Sequence, residues 1–203
     1  MVSLTFTPTR IFRNAAVLVF AAALIASCAP SGTQADSETE LSLVGFAVPK
    51  AGNNAAQAEQ TKTSEGKGVT WTESYGASGD QSRAVAGGLD ADYVHFSITP
   101  DVTRLVDAGL VDQTWDDGPN KGIVTNSVVV LVVRKGNPKN IQGWDDLVKE
   151  GGGIVTPNPG SSGAARWNIL AAWQRVIAAG GSEADAKAYL AKLFANVQAR
   201  PGS

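Results

Sequence analysis

Apolar residues along this chain fall into short runs set apart by polar, glycine-rich stretches, and the period of each run predicts its element. Leu41 to Val48, Val69 to Ser74, Asp92 to Ser97 and Gly153 to Thr156 read as strands. Ser127 to Val133 is almost unbroken Val and Leu, the clearest buried strand in the sequence. Between them lie helical stretches. Residues 50 to 68 are expected to hold a helix with almost nothing to bury. Gly79 to Gly87 reads as a second helix, and Pro100 opens a third that runs to Ala108, with Gly109 at its end. Trp144 to Lys149 is a short helix. Gly163 to Ala179 is a long one stopped by Gly180 and Gly181, and Ser182-Glu-Ala-Asp185 caps a last helix through Asn196. Strand and helix alternate, which implies an α/β fold with a mainly parallel sheet.

In such sheets ligands gather at the carboxyl ends of the strands, where the next helices begin. Two of these junctions share a design. "SYGASGDQSRAV", residues 74 to 85, leads into a helix through Gly76, Ser78 and Gly79, and Ser78 to Gln81 has the spacing of a capping box. "TPNPGSSGAARWN", residues 156 to 168, passes through Pro157 and Pro159 to Ser161, Ser162, Gly163 and Ala164 before the longest helix. The first amides of a helix lack intrahelical partners and its dipole is positive there, so both mouths suit an anion. The plainer reading is two ordinary N-caps, with Asp80 a dipole-stabilising acid in its first turn.

The chain has 203 residues, 43% hydrophobic and 18% charged, enough for one sizeable core or two small lobes. Its longest apolar stretch, Ala15 to Ser27, follows Arg10 and Arg13 and is too short for a comfortable membrane span, so residues 1–27 are read as a secretion signal. Leu24 to Cys28 resembles a bacterial lipobox, in which the cysteine is lipidated, the plainer reading being a buried or incidental thiol; as the sole cysteine it excludes an internal disulfide. Residues 28–40 are small, polar and acidic, as in a flexible tether. Without Arg10 and Arg13, 15 basic face 19 acidic side chains, a net charge near −4 that gives no general attraction to nucleic acid. One His and one Cys cannot assemble a zinc site of the usual ligands, and no phosphate-cradling loop motif occurs. No cofactor is called for. His95 reads as a packed or edge residue, the five tryptophans as core and lobe packing, and Ser64 to Lys67 as a chance match to a hydrolase motif.

The stretches "SYGASGDQSRAVAGGLDAD", "VVLVVRKGNPKNIQGWDDLVK", "TPNPGSSGAARWNILAAW" and "AKLFANV", spread over residues 41–197, resemble the bacterial sulfate- and thiosulfate-binding proteins of ABC importers. The resemblance implies a type II periplasmic-binding-protein fold, two lobes with mainly parallel sheets, that clamps a dehydrated anion with neutral donors. It divides the chain into a first lobe, 41–118, and a second, 119–203. It assigns Ser78 and Gly79 from one lobe and Ser162, Gly163 and Ala164 from the other to sulfate. An ABC permease with its ATPase and a lipid-anchored place in the periplasm or on the outer face of the cytoplasmic membrane are implied with it, and no enzymatic activity. The sequence departs from the family pattern at Phe46 to Lys50, where the family carries a Tyr-Asp-Pro-Thr-Arg type of stretch. It also stops before a further turn and a tryptophan, so the first lobe is expected to be incomplete and the chain a fragment. Phosphate or molybdate as ligand, a non-functional truncated product, and a secreted hydrolase using Ser78 or Ser64 are the alternatives.

Overall fold

A computed structural model describes residues 39–202. The segment read as a signal, and Cys28 with it, lies outside the described residues.

The first sheet is parallel, with strands in the order β2-β1-β3: β1 is Thr39–Phe46, β2 Val69–Gly76 and β3 Tyr93–His95. A central strand is covered on both faces, which is why β1 carries Leu43 and Val44, both buried. Its Gly45 has room for little else: a β-carbon there would lie 3.1 Å from the Tyr75 ring. Helices α1 (Lys50–Gln60), α2 (Ser78–Ala86) and α3 (Thr99–Asp107) follow the three strands in turn. Val44, Val85 of α2 and Leu105 of α3 form the core, with Val94 and Phe96 against it. The parallel arrangement brings the carboxyl ends of the strands, Phe46, Gly76 and His95, to one edge of the sheet.

As the polar sequence of α1 requires, none of its residues is buried. Polar contacts hold it instead. Asn53 Nδ2 donates to Tyr75 Oη at 3.0 Å, its Oδ1 accepts from His95 Nδ1 at 3.0 Å, and Trp71 Nε1 donates to Gln60 Oε1 at 3.2 Å. His95 is indeed packed, 6% exposed, and burial pushes its pKa down because the charged ring is poorly solvated there.

A second, two-stranded parallel sheet pairs β4 (Ile154–Val155) with β5 (Val197–Ala199), a strand the sequence reading missed. Between them run α4 (Gly163–Ala178) and α5 (Glu183–Ala195), which pack together and bury Ala165, Ala172 and Val176 of one, Ala186 and Leu193 of the other. The expected stops hold: Gly109 and Gly180 adopt φ of +71° and +86°, the left-handed region open to glycine. The expected capping box of α5 is present, with Asp185 N–H donating to Ser182 Oγ and Ser182 N–H to Asp185 Oδ2 at 2.8 Å. Trp144 to Val148 forms a 3-10 turn fastened to α5 by Tyr189 Oη, which donates to the Trp144 carbonyl at 2.7 Å.

Two expectations fail. Ser127 to Val133 is neither a strand nor buried, with Val128 80% and Val132 90% exposed. Apolar character makes a run eligible for a sheet, but only a ladder partner makes it a strand, and this run has none among the described residues. A cavity of about 790 Å³ lies between it and β4, lined also by Ile141, Leu147, Ile169 and Phe194. Nor do the tryptophans build the buried core. None is among its residues, and Trp167 is 47% exposed.

Candidate binding site

The chain leaves β2 through Ala77, which is extended (φ −69°, ψ 132°) and stands as the N-cap of α2 with no side-chain cap. The capping box read from the sequence is therefore absent. Ser78 lies one position inside the helix, and Gln81 turns back to accept a hydrogen bond from Ser74 Oγ at 3.1 Å. A stronger acceptor has claimed the Ser78 hydroxyl: Ser78 Oγ donates to Asp101 Oδ2 at 2.6 Å and accepts from the Ser97 amide at 3.0 Å. Ser78 is 2% exposed and Asp101 fully buried. A buried carboxylate needs compensation. Arg104 Nη1 supplies it at 3.2 Å from Asp101 Oδ1, with Arg166 Nη1 at 3.9 Å, and Ser82 Oγ donates to the Asp101 carbonyl at 2.6 Å. The single hydroxyl proton of Ser78 is thus spent, and what Ser78 still offers is its amide.

At the second mouth the hydroxyl is disposed the other way. Ser162 Oγ caps α4 by accepting from the Ala165 amide at 3.3 Å, so its own proton remains available to a ligand. The turn before it is fixed by Asn158, whose carbonyl accepts from the Ser162 amide at 2.8 Å and whose Oδ1 accepts from the Gly160 amide at 2.9 Å. Gly163 has to be glycine. A β-carbon there would collide with Ser97 Oγ and come within 2.8 Å of the Ile98 side chain.

The two mouths meet. Gly79 N–H donates to the Ser161 carbonyl at 2.8 Å, and a β-carbon on Gly79 would sit 2.8 Å from that same oxygen. Arg83, ion-paired with Asp80 in the first turn of α2, donates from Nη2 to the Gly160 carbonyl at 3.2 Å. Trp167 Nε1 donates to the Ser97 carbonyl at 2.8 Å. All five site residues expected from the sequence are therefore gathered at one place. Their parts differ: Gly79 spends its amide as the joint, while the amides of Ser78, Gly163 and Ala164 have no acceptor among the described residues.

The sequence reading did not reach Ser97, Asp101, Arg104, Arg166 or Trp167. Ser97 follows the third strand of the sheet, so the carboxyl-edge rule pointed there. Trp167 stood in the quoted "GSSGAARWN" block. Asp101 follows Pro100 in the first turn of α3, and only the fold reveals that it backs Ser78. The arrangement is a set of donors at two helix N-termini, with the nearby carboxylates already engaged, Asp101 by Ser78 and Arg104 and Asp80 by Arg83. Among the described residues no group of three or more His, Cys, Asp or Glu could hold a metal ion, and no helix is long and apolar enough to cross a membrane.

Amide and hydroxyl donors gathered where parallel strands end suit the binding of a ligand, and the architecture is that of an incomplete periplasmic-binding-protein fold. The chain belongs to the family of bacterial extracellular solute-binding proteins, whose profile matches residues 46–202. It is 40% identical over 197 residues to a sulfate-binding protein of Synechococcus elongatus, covering 93% of this chain and 56% of the relative. To a thiosulfate-binding protein of Pseudomonas aeruginosa it is 36% identical over 184 residues, covering 88% and 55%. The solved structure of the sulfate-binding protein SubI from Mycobacterium tuberculosis is similar with a TM-score of 0.77 at 47% identity, over 81% of this chain and 58% of that one. The chain thus spans about half the length of the curated relatives it matches.

Proposed function

We propose that this chain serves as the sulfate- or thiosulfate-capturing component of an ABC importer and performs no catalysis. The observation that carries the reading is the pair of joined helix mouths, which present three unspent amides and the Ser162 hydroxyl while Asp80 and Asp101 are engaged. A fully deprotonated tetrahedral anion needs donors only. Phosphate near neutral pH carries a proton and needs a free acceptor, and leaving such a group unpaired costs about 1–3 kcal/mol. In this reading Ser78, Gly163 and Ala164 bind through amides and Ser162 through its hydroxyl, and Gly79 lets the mouths close by lacking a side chain. The lobes divide at 118/119. Cys28 carries the lipid that holds the protein outside the cytoplasmic membrane, within reach of the permease and its ATPase.

Calorimetry with sulfate, thiosulfate and phosphate tests this. Sulfate or thiosulfate should bind and phosphate should not compete. Ser162→Ala should weaken binding roughly ten- to hundredfold, the worth of one charge-assisted hydrogen bond. Equal affinity for wild type and variant removes Ser162 from the site, and tighter binding of phosphate overturns the ligand assignment.

A further inference from the structure

Among the groups at the two mouths, the Ser97 hydroxyl stands apart. It is buried and has no hydrogen-bond partner. The rest of the residue is fully employed: its amide donates to Ser78 Oγ at 3.0 Å and its carbonyl accepts from Trp167 Nε1 at 2.8 Å. Those two bonds tie Ser97 to the first helix mouth on one side and to α4 on the other, and they fix where its side chain can go. Oγ packs against Gly163, occupying the space a β-carbon on that residue would need. Gly163 is the first residue of α4, and its amide and that of Ala164 have no acceptor among the described residues.

A serine hydroxyl left without a partner in a buried place is unfavourable, and proteins retain such groups where something other than the protein completes them. The surroundings say what that something is. The hydroxyl lies against Gly163, the first residue of a 16-residue helix whose positive end carries the free amides of Gly163 and Ala164. Asp101 is engaged by Ser78 and Arg104, with Arg166 at 3.9 Å, and makes no bond to the Ser97 hydroxyl. An oxygen atom of an anion seated on the α4 amides would accept from it.

We infer that Ser97 Oγ is a further ligand-binding donor of this site, giving its proton to an oxygen of the bound sulfate or thiosulfate alongside the Ser162 hydroxyl. The inference rests on the anion-binding reading above and adds a second hydroxyl to it. Ser97 then has two duties. Its backbone holds Ser78 and Trp167 in place, and its side chain meets the ligand, so the two can be separated by removing the side chain alone.

The experiment compares the full chain with Ser97→Ala and Ser97→Cys, using thermal unfolding and calorimetry in sodium sulfate against sodium chloride of matched ionic strength. Ser97→Ala deletes an unpartnered hydroxyl and keeps both backbone bonds, so the anion-free melting temperature should stay unchanged or rise. Sulfate affinity should fall roughly tenfold or more. Cysteine, of similar shape but a weak donor, should bind no better than midway between the two. Wild type responding to sulfate with Ser97→Ala equally responsive overturns the role of Ser97 and leaves the sulfate reading standing. Loss of anion-free stability in Ser97→Ala also overturns it, because the hydroxyl would then be structural. Absence of any sulfate-specific response in wild type overturns the sulfate reading itself, and Ser97's role with it.

Discussion

The two helix mouths are built from the same two residues in sequence, Ser-Gly, and use them in opposite ways. At α2 the serine turns its hydroxyl proton away, into the buried carboxylate of Asp101, and becomes part of the scaffold. At α4 the serine accepts from its own helix and keeps its proton. The glycines divide as well: Gly79 spends its amide joining the mouths, while Gly163 has no room for a side chain and keeps its amide. A Ser-Gly pair at a helix start therefore says little until the group behind the hydroxyl is known. Here that group is one aspartate 23 residues further along the chain.

The sharpest way to break this contrast is at the aspartate. Asp101→Ala should cost about 3–5 kcal/mol, because it strips Ser78 of its acceptor and leaves Arg104 partly buried without its partner. Denaturant unfolding measures it, and a loss below 1 kcal/mol means that the first mouth stands without its carboxylate. Ser78→Ala comes next, at about 2 kcal/mol, since it leaves the Ser97 amide and a carboxylate oxygen short of a bond. Ser162→Ala should cost less, about 1 kcal/mol for a lost N-cap. The order of these two is the test: a larger stability loss from Ser162→Ala than from Ser78→Ala reverses the assignment of scaffold and ligand roles. The smallest effect concerns pH. α5 is capped by the Ser182 hydroxyl and the Asp185 carboxylate together, and hydrogen bonds from the Ser182 hydroxyl and amide hold Asp185 below the ordinary carboxylate range. A group with its folded pKa lowered stabilises fully above its unfolded value and loses that contribution as pH falls through the folded one. The stability gap between wild type and Asp185→Asn should therefore be constant near neutrality and close below about pH 4, whereas the gap for Ser162→Ala should not follow that titration.

Much of this was legible in the chain. Period and punctuation located α2 to α5 to within a residue or two, because Pro100, Gly109, Gly180 and the Ser182–Asp185 cap act locally. The two mouths were legible for the same reason. What stayed hidden depends on residues far apart in sequence. Ser127 to Val133 has every local mark of a buried strand, yet strand formation rests on a partner that no local pattern encodes. Asp101 and Ser97 act on Ser78 only because three parallel strands end at one edge, and β5 is too short to carry a pattern of its own.

One feature of the site also makes it visible. Trp167 is about half exposed while the other four tryptophans are more shielded, and its indole N–H is fixed to the carbonyl of Ser97. The excited indole has a large dipole, so its emission wavelength follows the orientation of whatever it is bonded to. Anything that shifts that carbonyl, an arriving anion included, should move the colour of the emitted light as well as its intensity. Trp167→Phe supplies the blank, which leaves the protein with an optical gauge of its own site and no need for an attached dye.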